Sequence, residues 1–268
     1  LKIIAPVREW AMGRDEEIQY AIDHDIPVKQ TVESPYSYDE NLWGNTCEGG
    51  EIEDPTQTVN LKNVLLWSSQ LEDTPEKPHY ITIGFHEGVP VSLGGKKYKL
   101  STMIDELNAV GSSHGVGVAQ LIEDRLIGMK VRGIYENPAA TILISAHKKL
   151  EMIVSTRQEN EFKLIVDNKW AYLTYAAQWY DPIVGNLNSY IENQNNKVHG
   201  LVTVKLHQGS VTIVSIESEF TLFDKEAATF NKENIFNQNA AAGFTEFHTL
   251  AQKTAHSKAM TYNRGLDG

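Results

Sequence analysis

Cysteine is almost absent: Cys47 stands alone among 268 residues. One thiol cannot close an intramolecular disulfide, which agrees with a reducing cytosol. Long apolar runs are missing as well. None approaches the roughly 18 residues of a membrane span, and no secretory leader is visible. The chain is therefore expected to be cytoplasmic, with no membrane partner. Positive charge is in deficit, with 24 Lys and Arg against 35 Asp and Glu and a net charge of −11. A general nucleic-acid binder needs a basic face to displace counterions, so no nucleic-acid partner is expected. A phosphate-binding glycine loop is also lacking. The nearest run, Gly94-Gly95-Lys96, has the wrong spacing and reads as a hairpin turn. His86-Glu87 does not open a zinc-binding helix, because Pro90 would break it and no second His follows at the right spacing, so no metal site is expected.

What remains is an ordinary globular mixture, 41% hydrophobic and 22% charged, sized for one large domain or a domain with appendages. Residues 1–5 read as a parallel-type strand ending at Pro6, without an initiating Met, as in the middle of a larger protein. A helix with Ile18, Ala21 and Ile22 on one face should follow Gly13 and close before Pro27. Ser34-Pro35 marks a turn or extended segment. On residue type alone, Ser37 or Asp39 would cap a short helical turn. Residues 48–78 are irregular and acidic, with Val64-Leu65-Leu66-Trp67 as their apolar island. A loop this long suits a flap or a subunit contact, and the residues do not choose between them.

The second half is more regular. Tyr80–Phe85 and Val89–Leu93 alternate as strands of a meander. The next helix should start with Thr102 as cap, carry Met103, Ile104, Leu107 and Val110 inward, and end at Gly111, with His114 in a tight connection after it. Asn137-Pro138 should open a long amphipathic helix through Ile142, Leu143, Ala146, Leu150, Ile153 and Val154. Two more helices are expected, over about 158–178, with Phe162, Ile165, Trp170 and Leu173 inward, and about 181–195. The aromatics Trp170, Tyr172, Tyr175, Trp179 and Tyr180 read as helix packing rather than as a base-stacking platform. Residues 201–215 give a hairpin signal around Gln208-Gly209. A terminal helical segment runs to about Met260. The fold class is α+β: an antiparallel-rich sheet with packed helices.

One stretch fits neither a buried strand nor a loop. Val116–Ile122 reads as a largely buried strand, yet Glu123 to Glu136 mixes charges, glycines and aliphatics. As unbroken strand, Glu123 and Tyr135 would stand about 40 Å apart at ~3.3 Å per residue. Gly128 and Gly133 permit bends that bring them closer, giving a ribbon with polar side chains on a cleft wall. Without further context Glu123 would form a surface ion pair with Arg125 or Lys130.

This stretch resembles the corresponding segment of argininosuccinate synthases, as do Tyr36-Ser37-Tyr38-Asp39-Glu40-Asn41-Leu42-Trp43 and the opening Lys2-Ile3-Ile4-Ala5-Pro6-Val7-Arg8. The order and spacing of these blocks look like the family's to roughly Phe244. The resemblance implies that residues 1–30 are the tail of a nucleotide-binding α/β domain. It further implies that 31–238 form the synthetase domain and 239–268 a helical oligomerisation arm in a homotetramer. The family joins citrulline to aspartate with ATP, and its ATP-binding domain, through which ATP and Mg²⁺ act, lies upstream and has no match here. The family's citrulline-contacting positions match Ser37, Thr46, Glu123 and Tyr135, with Thr46 replacing the usual Ser but keeping a hydroxyl. On charge logic Glu123 would take the ligand ammonium, Ser37 and Thr46 its carboxylate, and the Tyr135 hydroxyl would donate or accept. No catalytic residue is assigned. Lys130 and Arg132 could stabilise charge at the domain boundary or serve a solvated or structural role. A non-catalytic fragment or citrulline-binding module is the alternative to a ligase.

Overall fold

The computed structural model describes residues 2–28, 35–228 and 237–266. The chain divides into two units, residues 1–222 and 223–268. In the first, residues 2–5 form no strand, and Ile3 and Ile4 are exposed. A strand needs a neighbour for its backbone N–H and C=O groups, and among the described residues no strand pairs with residues 2–5. Pro6 instead opens helix α1 (Pro6–Trp10), where a missing N–H costs nothing. Helix α2 (Arg14–Asp23) begins where Gly13 N–H donates to Glu16. It buries Ile18 and Ala21 but leaves Ile22 outside. The expected turn at Ser34 lies outside the described residues.

The main core is a five-stranded antiparallel sheet covered by two helices. Strands β3 (His79–His86), β4 (Val89–Leu93), β5 (Lys96–Lys97), β8 (Gly200–His207) and β9 (Ser210–Glu217) pair in the order β5-β4-β3-β8-β9. Alternation along β8 places Val202, Val204 and Leu206 in full burial. They pack with Ile83 and Phe85 against helices α4 (Leu100–Ser113) and α5 (Pro138–Val154). Helix α4 starts after Lys99, so Thr102 lies inside it. Gly111 does not end it. A Cβ there would sit 2.7 Å from Pro138 Cβ, so the missing side chain lets α5 approach. Helix α5 buries Ile142, Leu143, Ala146, Leu150 and Val154, as its periodicity predicts.

Helices α6 (Arg157–Tyr175) and α7 (Pro182–Asn195) follow. The inward stripe of α6 is Lys163, Val166 and Leu173; Phe162, Ile165 and Trp170 lie outside it, and Tyr180 is 97% exposed. Buried Lys163 explains the shifted stripe. Its amine is held 3.3 Å from Glu151 of α5 and 2.7 Å from Asp167, and a buried cation is tolerated only when paired in this way.

The second sheet is four-stranded. Strands β1 (Ser37–Glu40), β2 (Asn45–Glu48), β6 (Val118–Asp124) and β7 (Lys130–Glu136) pair in the order β1-β2-β7-β6. Ser37 and Asp39 therefore lie in a strand and cap no helix. β6 is an edge strand, and Leu121 and Ile122 are exposed rather than buried. Short helix α3 (Leu61–Val64) and one-turn 3-10 helices at Gly50–Glu53 and Leu71–Asp73 structure the expected loop. The unit 223–268 carries helices α8 (Ala240–His248) and α9 (Leu250–Leu266), with Phe244 stacked on His248.

Candidate ligand-binding face

The register of the four-stranded sheet sorts its side chains into two faces. Tyr38 pairs with Cys47 and Cys47 with Ile134. Directly opposed residues point the same way, and these three pack with Ile52 and Val64 in a small core. That is the closed face. The alternate residues define the open one. Ser37 pairs with Glu48, Asp39 with Thr46, Thr46 with Tyr135, and Tyr135 with Ala119, two pleats from Glu123. Thus Ser37, Thr46, Glu123 and Tyr135 share one face, although 98 residues separate the first from the last.

Gly133 brings Glu123 and Tyr135 together, by a route other than a bend. β7 runs straight through it, paired with Leu121. A Cβ on Gly133 would meet Tyr135 Cε2 at 3.1 Å. The empty position lets the Tyr135 ring lie along the sheet, with its hydroxyl close enough to the Glu123 carboxylate to feel its charge. Burial first, then the Glu123 carboxylate, pushes the phenol up to about 12. Gly128, with φ 86°, turns the β6–β7 hairpin.

Three further charged residues on this face were not taken as site residues from the sequence: Asp39, Glu48 and Arg125. Each stands two residues beyond an expected site residue, so the period of two along a strand was the available signal. Arg125 Nη2 lies 2.5 Å from Glu48 Oε1, and its Nε 3.8 Å from Glu123 Oε1. The ion pair of Glu123 with Arg125 is thus present, but loose. Lys130 turns to the other face and pairs with Asp124 at 2.5 Å.

The closed face is tied by hydrogen bonds to the segment beneath it. Glu136 is 1% exposed and forms no salt bridge among the described residues. Its carboxylate accepts from Asn45 Nδ2 at 2.8 Å and from the backbone N–H groups of Leu66, Trp67 and Ser68 at 2.7–2.9 Å. Arg132 is the reverse case. Its buried guanidinium donates to the carbonyls of Glu51, Ile52, Asp54 and Gln57. Four of its five N–H groups are engaged in this way, so Arg132 is committed to structure. These two side chains pin residues 51–68 under β7. Cys47, beneath the same sheet, has its thiol pushed up to about 11 by burial, which leaves it unreactive.

Among the described residues no group of three or more His, Cys, Asp or Glu is placed to hold a metal ion, and no helix is long and apolar enough to cross a membrane. A separate cavity of about 530 Å³ lies between the β1–β2 turn and α4, lined by Asn41, Trp67, Asp105 and Asn108 among others. It contains none of the four expected residues. Asn108 is committed there, donating to Leu42 O and accepting from Ala139 N.

Residues 36–255 match the family model described as the arginosuccinate synthase C-terminal domain. The chain belongs to the argininosuccinate synthase family. It is 44% identical over 244 residues to the argininosuccinate synthase of Rubrobacter xylanophilus, covering 91% of this chain and 59% of that protein. It is 43% identical over 256 residues to that of Pyrococcus furiosus, covering 96% and 62%. The Oceanobacillus iheyensis argininosuccinate synthase is 45% identical over 250 residues, 93% of this chain and 60% of its own. The chain thus spans about three fifths of the length of the curated argininosuccinate synthases it matches.

Proposed function

We propose that this chain supplies the citrulline-binding part of an ATP-dependent ligase. The reaction joins L-citrulline and L-aspartate to argininosuccinate and releases AMP and pyrophosphate. The ureido oxygen of citrulline would attack the α-phosphorus of ATP, expelling pyrophosphate and leaving a citrullyl-adenylate. The aspartate amine would then attack the activated carbon, lose a proton and expel AMP. The observation that carries this reading is the open face itself, on which Ser37, Thr46, Glu123 and Tyr135 converge. Glu123 offers a charge to an α-ammonium, Ser37 and Thr46 offer hydroxyls to a carboxylate, and Tyr135, neutral throughout the physiological range, offers one hydroxyl to fix the geometry. Alignment of reactants is the main service asked of such a face. ATP, and Mg²⁺ carried on its phosphates, belong to the part of the synthases that this chain does not span. A cytoplasmic homotetramer, with residues 239–268 as the oligomerisation arm, completes the reading.

Two measurements test it. Calorimetric titration of the chain with L-citrulline should give saturable heat that Glu123→Ala abolishes. Pyrophosphate release by the longest chain its gene encodes should require ATP and citrulline together, with argininosuccinate formed only when aspartate is added. The second reading is a citrulline-binding and oligomerisation module without turnover. Binding without pyrophosphate release would select it.

A further inference from the structure

Arg125 sits in the β6–β7 turn, at the rim of the open face, and no role has yet been given to it. The face carries three carboxylates, Asp39, Glu48 and Glu123, and Arg125 is the cation paired with two of them. Its charge is permanent, because the neighbouring Glu48 raises its pKa above an already high value. An amino acid bound here must share Glu123 with this guanidinium. If the ligand's far end is neutral, only its ammonium competes with Arg125. If the far end is also cationic, a second positive charge must enter beside one that is already fixed.

The geometry points to Arg125 as a specificity-determining residue, one that admits an amino acid with a neutral ureido end and turns away its cationic isostere. This rests on the reading that an amino acid occupies the open face. Ureido and guanidinium groups are both planar and of nearly equal size, so shape separates them poorly. Charge separates them well: a ureido group is neutral toward Arg125, whereas a guanidinium is repelled by it. Glu48 takes part as the residue that holds Arg125 over the face.

The test is the ratio of two affinities, which a purely structural role would leave alone because it weakens both ligands equally. L-citrulline and L-arginine are titrated separately into the wild-type chain, Arg125→Gln and Arg125→Lys. Arg125→Gln is expected to shift the ratio toward arginine by about tenfold at low salt, ~1.4 kcal/mol, and by less at high salt as the charges are screened. Arg125→Lys, which keeps the charge, should retain the wild-type ratio. Glu48→Gln removes a negative charge and should shift the ratio the other way, away from arginine, and it carries the test if Arg125→Gln does not fold. An unchanged ratio in a folded variant that still binds citrulline overturns the assignment of Arg125 and leaves the proposed function standing. Failure of the wild-type chain to bind citrulline overturns both.

Discussion

At the scale of single residues, a missing side chain matters as much as those present. Gly133 is extended and ordinary in conformation, so Gly133→Ala strains no backbone. Its new methyl would press on the Tyr135 ring, which already fills the space at 3.1 Å. The expected result is a citrulline affinity lower by about tenfold, ~1.4 kcal/mol, with unfolding free energy changed by less than about 1 kcal/mol. Calorimetry beside denaturant unfolding separates the two. Tyr135 also makes a prediction about pH. Its phenol ionises near 10.0 when unfolded and near 12 when folded. A group raised on folding stabilises the protein fully below its unfolded pKa and ceases to do so as pH climbs through the folded value. Stability should therefore fall between about pH 10 and 12 by more in the wild type than in Tyr135→Phe, and ultraviolet titration of tyrosinate should lack one late-ionising group in the variant.

At the scale of elements, the decisive contacts are those that tie an irregular segment to a strand. Removing the Glu136 carboxylate would leave three backbone N–H groups and one amide buried without acceptors. Each costs on the order of 1–3 kcal/mol, so Glu136→Ala should lose roughly 3 kcal/mol or more in denaturant unfolding. The emptied site would still present its donors, and added acetate should restore part of the loss. These ties were not legible in the sequence. The stripe of α5 and the alternation of β8 were, because burial on one side imposes a period that one sequence displays. The neighbours of Glu136 and Arg132 are set by backbone groups, which leave no mark on residue type. The stripe of α6 was misjudged because its inward position holds Lys163, a residue type that sequence reasoning sends to the surface. The four family-matched positions are named from the sequence, while their sharing of one face with Glu48 comes only from the register and the pairing of Arg125 with Glu48 only from the side chains.

At the scale of the molecule, two sheets with separate cores share one unit, and acid should test that unit before it tests the site. His114 is buried at the end of α4, with Nδ1 lacking a partner. Burial, then His79 and His207, hold its pKa below 6.5. A histidine kept neutral by folding gains a proton when the chain unfolds, so its contribution is constant above pH 6.5 and is lost as pH falls below it. Melting temperature should drop below that pH, and less steeply in His114→Leu. The two-faced sheet has a further consequence, for the order in which the chain is built. Its closed side joins Glu136 to Asn45, 91 positions earlier, and to Ser68, 68 earlier. On the ribosome, where early segments emerge first, the β1–β2 hairpin, complete at Glu48, would wait until β7, which begins at Lys130, arrives to pair with β2. Cys47, the single thiol, reports on that wait. A nascent chain arrested after residue 124 should leave it open to alkylation, and one arrested late enough for α5 to have emerged should hide it.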